Sequence, residues 1–494
     1  MLFYSYPFIL LYLPIVLAGF FLLAKISHRF AAGWLAAASL FFYGYWNPRF
    51  LTLILASIAF NYVIGYWIAG RSRRGMARPL LIFAIAANLA VLGYFKYTNF
   101  FISSADALYH DHWALMDITL PLGISIFTFT QIAFICDVYR GIATEYSFIH
   151  YVLFVTYFPH LVAGPVIHHR QIMPCFDDAE TYRMRVENIA TGALTFTIGL
   201  AKKVLLAASF AEYADPVFDG AKVLQPGLFV AWLGALAYTL QIYFDFSGYS
   251  DMAIGLSRLF GIPLPENFNS PYKARNIIEF WRRWNITLSH FLRDYLYIPL
   301  GGSRRGDLQR YMNLITTMLL GGLWHGANWT FVAWGGLHGL YLVINHLWIG
   351  LKTRLGIAKQ CSCDYSASTA VTFLMVVVAW VFFRADSFKV AARMLQGMIA
   401  YGDAAQWRHF FFGNADVTFD YWLPPDANGY RFAMLAIGLG LVWIAPNTHT
   451  LASNVRLIGA PLKFATIGAS IFWISLLAAI SASREIPQFI YFNF

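Results

Sequence analysis

Apolar residues occur in runs of about 20 along most of the chain, a length that crosses the hydrocarbon core of a bilayer as a helix. Inside lipid a segment must satisfy its own backbone hydrogen bonds, which favours helices. The pattern therefore predicts an all-α polytopic membrane protein with about eleven full crossings plus re-entrant or tilted pieces. The candidate spans are residues 7–24, 34–46, 50–69, 79–98, 119–136, 148–167, 189–210, 226–246, 312–324, 329–349, 369–384, 432–446 and 464–482.

The composition agrees with a membrane protein. Only 12% of the 494 residues are charged and 59% are hydrophobic, whereas soluble domains carry about 25% charged residues. The formal net charge is +10, and basic residues cluster in short segments at 71–78 and 273–310. Such segments stay on the cytoplasmic side, so we expect the N-terminus and a loop at 402–430 to lie on the outer side of the membrane. No basic face stands clear of the bilayer, which argues against a nucleic-acid partner.

One ionisable residue lies deep in an apolar stretch. His325 is about 20 Å along a helix from the last upstream charge, Arg310, and ionisable groups at that depth usually line a cavity or take part in chemistry. A neutral imidazole can take a proton from a hydroxyl near pH 7. Gly321, Gly322 and Gly326 would let a substrate approach the backbone. The alternative is a packed histidine bonded to a carbonyl of a neighbouring helix.

The longest weakly apolar segment is 261–311. Within it, apolar residues recur every three or four positions from Asn276 to Tyr297, which predicts an amphipathic helix. Such a helix lies at the cytoplasmic interface or lines a polar cavity. Beside the candidate catalytic residue Asn285, the candidate donor-binding residues are Trp281, Arg282, Arg283, Ser289 and Arg293, together with Trp324 from the histidine segment.

The chemistry of this segment suits an activated acyl donor. Guanidinium groups match phosphate, so Arg282, Arg283 and Arg293 could hold a phosphorylated carrier or cofactor. Asn285 can donate and accept hydrogen bonds, so it could orient a thioester carbonyl or a hydroxyl. The alternative is an interfacial helix whose arginines reach water and keep the segment inside.

Two further segments carry polar groups inside apolar runs. Asp245 and Asp251 flank Gly248, and we expect a broken helix in which serine and aspartate cap a new N-terminus after this glycine. Cation binding or proton relay by the two carboxylates is the alternative. Two prolines and a glycine around His160 predict a break, as in a re-entrant loop. No carboxylate or cysteine is spaced to complete a metal site with His160, His168 and His169. His338 and His346 are weak ligand candidates, so we expect no metal.

Segments spread over most of the chain follow one another in a specific order: Tyr43–Trp46, Pro121–Phe129, Phe158–Pro165, Gly199–Val204, Asp245–Asp251, Trp281–Gly302, Leu323–Gly326 and Phe489–Phe492. Together they resemble the membrane-bound O-acyltransferase family, especially its bacterial branch of polysaccharide O-acetylation proteins. The resemblance implies a single domain over residues 1–494, a ring of tilted helices around a central tunnel. It also implies that the family's invariant histidine is His325, acting as general base.

The second polar position of the family corresponds to Asn285. It is often histidine in other members, but asparagine cannot act as a base, so His325 would move the proton alone. The implied reaction transfers an acetyl group from a cytoplasmic thioester, acetyl-CoA or an acyl carrier, towards an exported polysaccharide of alginate or cellulose type. Transfer is direct or through a separate periplasmic esterase-like partner in a polysaccharide synthesis complex. No bound cofactor is implied, and the imidazole should be reachable from both aqueous sides.

Two other functions stay open on the residues alone. A transporter of an acyl group or a sugar would use Asp245, Asp251 and the broken spans, although the sequence shows no inverted repeat. A structural anchor of a polysaccharide secretion complex would need neither His325 nor Asn285.

Overall fold

A computed structural model describes residues 1–71, 75–110, 113–143, 147–161, 164–356, 362–400, 431–483, 486–487 and 489–490. Within these ranges the regular structure is helical and no strand occurs, which confirms the predicted all-α class. The expected outer loop at 402–430 and part of the basic segment 71–78 lie outside the described residues.

The α-helices are named here in chain order. The first are α1 Leu13–Ala24, α2 His28–Trp46, α3 Arg49–Arg71, α4 Ala77–Leu92, α5 Thr98–Tyr109, α6 Ile124–Tyr139, α7 Phe148–Thr156, α8 Phe158–Leu161, α9 His169–Asp177, α10 Val186–Ala201 and α11 Ala208–Gly220. They are followed by α12 Leu228–Leu259, α13 Ile277–Trp281, α14 Ile286–Leu292, α15 Asp307–His325, α16 Trp329–Arg354, α17 Ser362–Arg384, α18 Phe388–Ile399, α19 Arg431–Ile444, α20 Thr448–Asn454 and α21 Ala460–Ser483. Short π-helical turns cover Pro7–Tyr12, Gly93–Tyr97, Lys202–Ala207 and Arg293–Tyr297.

The helices group into two compact units. The first unit contains Met1–Leu200, Tyr249–Glu266 and Thr448–Glu485. The second contains Ala201–Gly248, Asn267–Asn447 and Ile486–Phe494. Every candidate residue of the histidine and arginine segments belongs to the second unit.

Seven helices of the described part are long and apolar enough to cross a bilayer: Pro7–Ala24, Arg49–Gly70, Ala77–Tyr109, Val186–Gly220, Leu228–Leu259, Ser366–Arg384 and Ala460–Ser483. An eighth results if the helix ending at Ile444 and the one beginning at Thr448 count as one broken span. This is fewer than expected from the apolar runs. Two expected spans, 119–136 and 148–167, form only the shorter apolar helices Ile124–Tyr139 and Phe148–Leu161.

The prediction of one continuous helix from Asn276 to Tyr297 is wrong. α13 ends at Trp281 and α14 begins at Ile286, because Asn285 adopts a left-handed backbone with φ 41° and ψ 55°. A right-handed helix cannot continue through that conformation, which asparagine tolerates better than most residues. The apolar periodicity is real, but it belongs to two short helices instead of one.

The helix break predicted between Asp245 and Asp251 is also wrong. α12 runs without interruption from Leu228 to Leu259. Asp245 forms a buried ion pair with Lys203, with 2.6 Å between Oδ1 and Nζ, and Asp251 accepts a hydrogen bond from the hydroxyl of Thr448 at 2.8 Å. Groups distant in sequence satisfy both carboxylates, so neither is needed to cap a helix end.

α15 and α16 pack closely against each other along glycine positions. A Cβ atom on Gly322 would collide with the carbonyl of Phe331, and one on Gly335 would collide with the carbonyl of Met318. Only glycine permits this approach of two backbones. The contact fixes the end of α15, where His325 is the last residue.

Candidate functional site

Local capping holds His325 at the junction of two helices. α15 ends at this residue, and Gly326 continues in an extended conformation. Asn328 caps α16, since its Oδ1 accepts from the N–H of Thr330 at 3.1 Å. Its Nδ2 donates to the carbonyl of Asp386 at 2.8 Å. The turn between α15 and α16 is therefore anchored on both sides, which orients the imidazole.

The imidazole of His325 lies in an aromatic cage. The residue is only 3% exposed. The rings of Trp324, Trp334 and Phe383 contact it edge-on, with centroid distances of 4.8, 5.0 and 5.3 Å. An environment that excludes water strengthens electrostatic interactions with any reacting group bound there.

Access to His325 differs from the expectation. We expected the imidazole to be open to both aqueous sides, but His325 is only 3% exposed and offers almost no surface to a substrate. Approach of a thioester and of an alcohol therefore requires movement of the rings that contact the imidazole. Such gating is common in enzymes that must keep water from a reacting centre.

Asn285 lies in a tight turn that a neighbouring loop clamps. The residue is 2% exposed. The N–H of Ile286 donates to the carbonyl of Asn267 at 3.0 Å, and the hydroxyl of Thr287 donates to the Asn267 Oδ1 at 2.9 Å. The side-chain amide of Asn285 itself has no hydrogen-bond partner among the described residues. The bonds to Asn267 thus fix the backbone of the turn, and the side-chain amide of Asn285 remains available for a hydrogen bond to a ligand.

A chain of rings joins the Asn285 turn to the cage of His325. Trp284, the residue before Asn285, is fully buried and contacts the ring of Trp380 at 4.8 Å. Trp380 stacks on Trp334 at 5.7 Å, and Trp334 contacts His325 at 5.0 Å. A continuous series of ring contacts therefore connects His325 with Trp284, the residue next to Asn285 in the chain.

Three donor-binding candidates lie in or beside this cluster. Trp324 contacts the imidazole directly, as described above. Trp281 contacts Trp334 with a centroid distance of 5.8 Å, so it borders the same cage. Ser289 is half-buried on α14, and its hydroxyl donates to the carbonyl of Trp284 at 3.4 Å.

The three candidate arginines have different surroundings. Arg283 donates to Oε1 of Glu279 from Nη2 at 2.8 Å and from Nε at 3.1 Å, so its charge is already matched. Arg282 is exposed. Arg293 pairs with Asp294 at 2.7 Å and also lines a cavity.

That cavity, of about 520 Å³, is built on a glycine-rich turn. Gly301 adopts a φ of 115°, which lets the chain reverse there. Arg304 and Arg305 line the cavity with Arg293, and neither makes an ion pair within the described part of the chain. Three guanidinium groups around one cavity suit a phosphorylated ligand. Arg304 and Arg305 were not among the site residues predicted from the sequence. Their position in a glycine-rich turn is the sequence feature that could have identified them.

The histidines outside the cage do not assemble into a metal site. The predicted break near His160 is present, because α7 ends at Thr156 and α8 covers only Phe158–Leu161. His160 Nε2 lies 3.0 Å from the carbonyl oxygen of Phe154. Among the described residues no group of three His, Cys, Asp or Glu side chains could hold a metal ion.

Comparisons with known proteins show what the chain resembles. The model of a family described as MBOAT, membrane-bound O-acyltransferase, matches residues 87–385. A peptidoglycan O-acetyltransferase of Helicobacter pylori is 41% identical over 426 residues, which cover 81% of this chain and 80% of the relative. A probable alginate O-acetylase of Azotobacter vinelandii is 44% identical over 409 residues, covering 82% and 79%. A teichoic acid D-alanyltransferase of Streptococcus thermophilus is 28% identical over 243 residues, covering 47% and 59%.

Proposed function

The chain belongs to the membrane-bound O-acyltransferase family and is an O-acyltransferase, and we propose that it takes an acetyl group from cytoplasmic acetyl-CoA for the O-acetylation of an exported polysaccharide. The acetyl group reaches the polymer directly or through a separate periplasmic partner in a polysaccharide synthesis complex. Relatives named for the O-acetylation of peptidoglycan and of alginate support a carbohydrate acceptor. An acyl carrier in place of CoA is the alternative donor.

The single observation that carries this proposal is the buried imidazole of His325 at the anchored end of α15. In the proposed reaction the oxygen of an acceptor hydroxyl attacks the carbonyl carbon of the thioester, and the hydroxyl proton moves to His325. The carbon–sulfur bond then breaks, and the imidazolium returns the proton to the thiolate, which leaves as CoA. General acid–base assistance of this kind typically contributes about 10²–10⁴-fold to a rate.

Asn285 stabilises charge in this mechanism instead of moving a proton. Its amide donates to the carbonyl oxygen as negative charge develops there, or it positions the hydroxyl. The amide has no partner among the described residues, so no existing hydrogen bond has to break first. Because asparagine cannot act as a base, proton transfer falls to His325 alone.

The donor binds through its phosphates at the cavity of Arg304 and Arg305, which make no ion pair among the described residues. Arg293 also lines this cavity but contributes less, because Asp294 already neutralises it. Arg283 contributes less than the sequence suggested, because Glu279 already neutralises it. Trp281 and Trp324 border the thioester and exclude water from it. The cavity faces the cytoplasm if the basic segment 270–311 lies inside, as in a bacterial inner-membrane protein with a periplasmic N-terminus.

The test is chemical and uses the purified full-length chain in proteoliposomes. Acetyl-CoA labelled in the acetyl group is supplied on one side, with alginate oligosaccharides as the acceptor probe, and free CoA and labelled ester are measured. For direct transfer we expect CoA release that depends on the acceptor, with one ester formed for each CoA. For transfer through a periplasmic partner we expect the same dependence only when that partner is added with the oligosaccharides.

Movement of label across the bilayer without free CoA would instead identify a transporter. Normal acetylation of the cell's polymer both in a strain that carries His325→Ala and in a strain that carries Asn285→Ala would identify a structural anchor. Either result would overturn the proposal.

A further inference from the structure

A second histidine lies beside the cage of His325 and has no role in the mechanism above. His338, on α16, is completely buried, and neither of its ring nitrogens has a hydrogen-bond partner in the described part of the chain. Buried polar side chains in native proteins nearly always have a partner, and each exception needs a physical explanation.

Aromatic rings enclose His338. Phe280 stacks on the imidazole at 6.0 Å with an interplanar angle of 11°, and Trp281 and Trp334 contact it edge-on at 5.1 and 4.8 Å. Trp334 also contacts His325 at 5.0 Å, so one indole ring lies against both imidazoles. The surroundings of His338 are therefore continuous with the candidate catalytic site.

The enclosing rings bring further unpaired donors. The indole nitrogens of Trp281 and Trp334 are buried and have no acceptor among the described residues. An indole N–H can only donate, and a neutral imidazole has one donor and one acceptor nitrogen. This small region thus holds more hydrogen-bond donors than acceptors, and an uncharged oxygen is the group that would satisfy them.

An apolar side chain would pack at position 338 without this deficit. Phenylalanine has a similar planar ring and no polar atom, and aromatic neighbours already surround the position. A residue that violates the usual rule for buried polar groups is most simply explained by function.

We propose that His338 is a substrate-binding residue of the acyl-transfer site, which hydrogen-bonds an uncharged oxygen of the reactants beside Trp334. The oxygen is either the acyl carbonyl of the thioester or the hydroxyl of the acceptor, and both are hydrogen-bond acceptors. The inference rests on the proposed acyl transfer at His325, and it adds a second imidazole that binds but does not move the proton.

The experiment compares three variants of the full-length protein in proteoliposomes, with acetyl-CoA as donor and alginate oligosaccharides as acceptor. His338→Phe removes both nitrogens and keeps a ring. His338→Asn and His338→Gln place an amide near the positions of Nδ1 and Nε2. His346→Phe, eight residues further along α16 and half-buried, is the matched control. For each protein the thermal midpoint, kcat and both KM values are measured.

We expect His338→Phe to keep or raise the unfolding midpoint while kcat/KM falls about tenfold, the loss expected from one hydrogen bond to a reactant. One of the two amide variants should recover part of that loss. A rise in the KM for acetyl-CoA assigns the oxygen to the acyl carbonyl, and a rise in the KM for the oligosaccharide assigns it to the hydroxyl. His346→Phe should behave as the parent.

Parental kcat/KM in His338→Phe would overturn the inference. If His338→Phe does not fold, the amide variants decide. An unequal kcat/KM for Asn and Gln at similar midpoints supports substrate binding, whereas losses that follow the midpoint overturn it. Failure of the inference is separable from failure of the proposed function, because only the latter would leave His325→Ala fully active.

Discussion

Two buried polar groups of the second unit differ in how the protein satisfies them. Lys203 and Asp245 are each about 2% exposed at the side chain and lie 2.6 Å apart. Lys203 also donates to the carbonyl of Pro487 at 2.8 Å, and the N–H of Ile490 donates to Asp245 at 2.9 Å. His338 is buried to the same degree, yet its nitrogens have no partner among the described residues.

The presence or absence of a hydrogen-bond partner distinguishes buried polar groups that support the fold from those that serve the function. The ion pair is complete without any ligand, and it also contacts the backbone of Pro487 and of Ile490 near the end of the chain. The region around His338 and the amide of Asn285 stay incomplete until something binds. Polar groups that the fold satisfies by itself therefore predict effects on stability, and those that it leaves unsatisfied predict effects on catalysis.

The largest expected effect comes from breaking the satisfied pair. Lys203→Met leaves the Asp245 carboxylate buried without its cation, and such a loss typically costs about 3–5 kcal/mol of unfolding free energy. Replacing both residues, as in Lys203→Met with Asp245→Leu, should recover most of that cost, since similar apolar replacements of buried pairs are often neutral. Denaturant unfolding in detergent measures both variants.

A Lys203→Met protein as stable as its parent would show that the pair contributes nothing to the fold. Complete pairing of a buried polar group would then not predict an effect on stability.

The next effect concerns the unsatisfied amide of Asn285. Asn285→Gly keeps the left-handed turn and removes the amide, whereas Asn285→Ala removes the amide and adds a strain of about 1–2 kcal/mol at this φ. If the amide stabilises developing charge, both variants should lose about 10²–10³-fold in kcat. Only Asn285→Ala should also lose stability.

Steady-state kinetics and thermal unfolding of the same samples check this prediction. Full activity in Asn285→Gly would show that the residue matters only for the turn.

A smaller effect is expected at the arginine cavity. Arg304→Ala removes one of three guanidinium groups and should raise the KM for acetyl-CoA about three- to tenfold, because exposed charges contribute less than buried ones. The increase should be larger at low salt, where surface charges are less screened. Arg282→Ala is the control, since it removes the same charge from an exposed position outside the cavity. Equal KM changes in the two variants would contradict a specific donor site.

The smallest effect concerns the pair of Glu279 and Arg283. Burial acts to raise the pKa of Glu279, but hydrogen bonds from the Arg275 N–H and from Arg283 outweigh it and hold that pKa below its ordinary value. A lowered folded-state pKa gives stability that is present above the unfolded pKa of about 4.3 and is lost as the pH falls through the folded value. Glu279→Gln should therefore cost about 0.3–0.5 kcal/mol at pH 7.

The difference in thermal midpoint between parent and Glu279→Gln should then vanish in acid. A difference that persists below pH 3 would contradict the sign of the pKa shift.

The apolar runs were enough to predict the helical class, because lipid leaves the backbone few alternatives. They could not predict the continuity of α12. The glycine between Asp245 and Asp251 indicated a break, but the partners Lys203 and Thr448 lie far away in sequence and remove the need for one. Long-range pairing of this kind leaves no local pattern.

The candidate site shows the same limit. The position of His325 in an uncharged run singled it out, and the tryptophan before it does contact the ring. The break at Asn285 was missed, because the clamp comes from Asn267 in a preceding loop while the apolar periodicity continues across the turn. His338 looked like a weak metal ligand, because nothing in the sequence shows that five aromatic rings surround it.

The most direct test of the central claim is the rate of acetyl transfer by a folded His325→Ala protein. Purified His325→Ala and parent are reconstituted together with the same donor and acceptor, and thermal unfolding confirms that both are folded. We expect a kcat about 10²–10⁴-fold below that of the parent, the contribution of a general base. Transfer at the parental rate by the folded variant would contradict the assignment of His325 as that base.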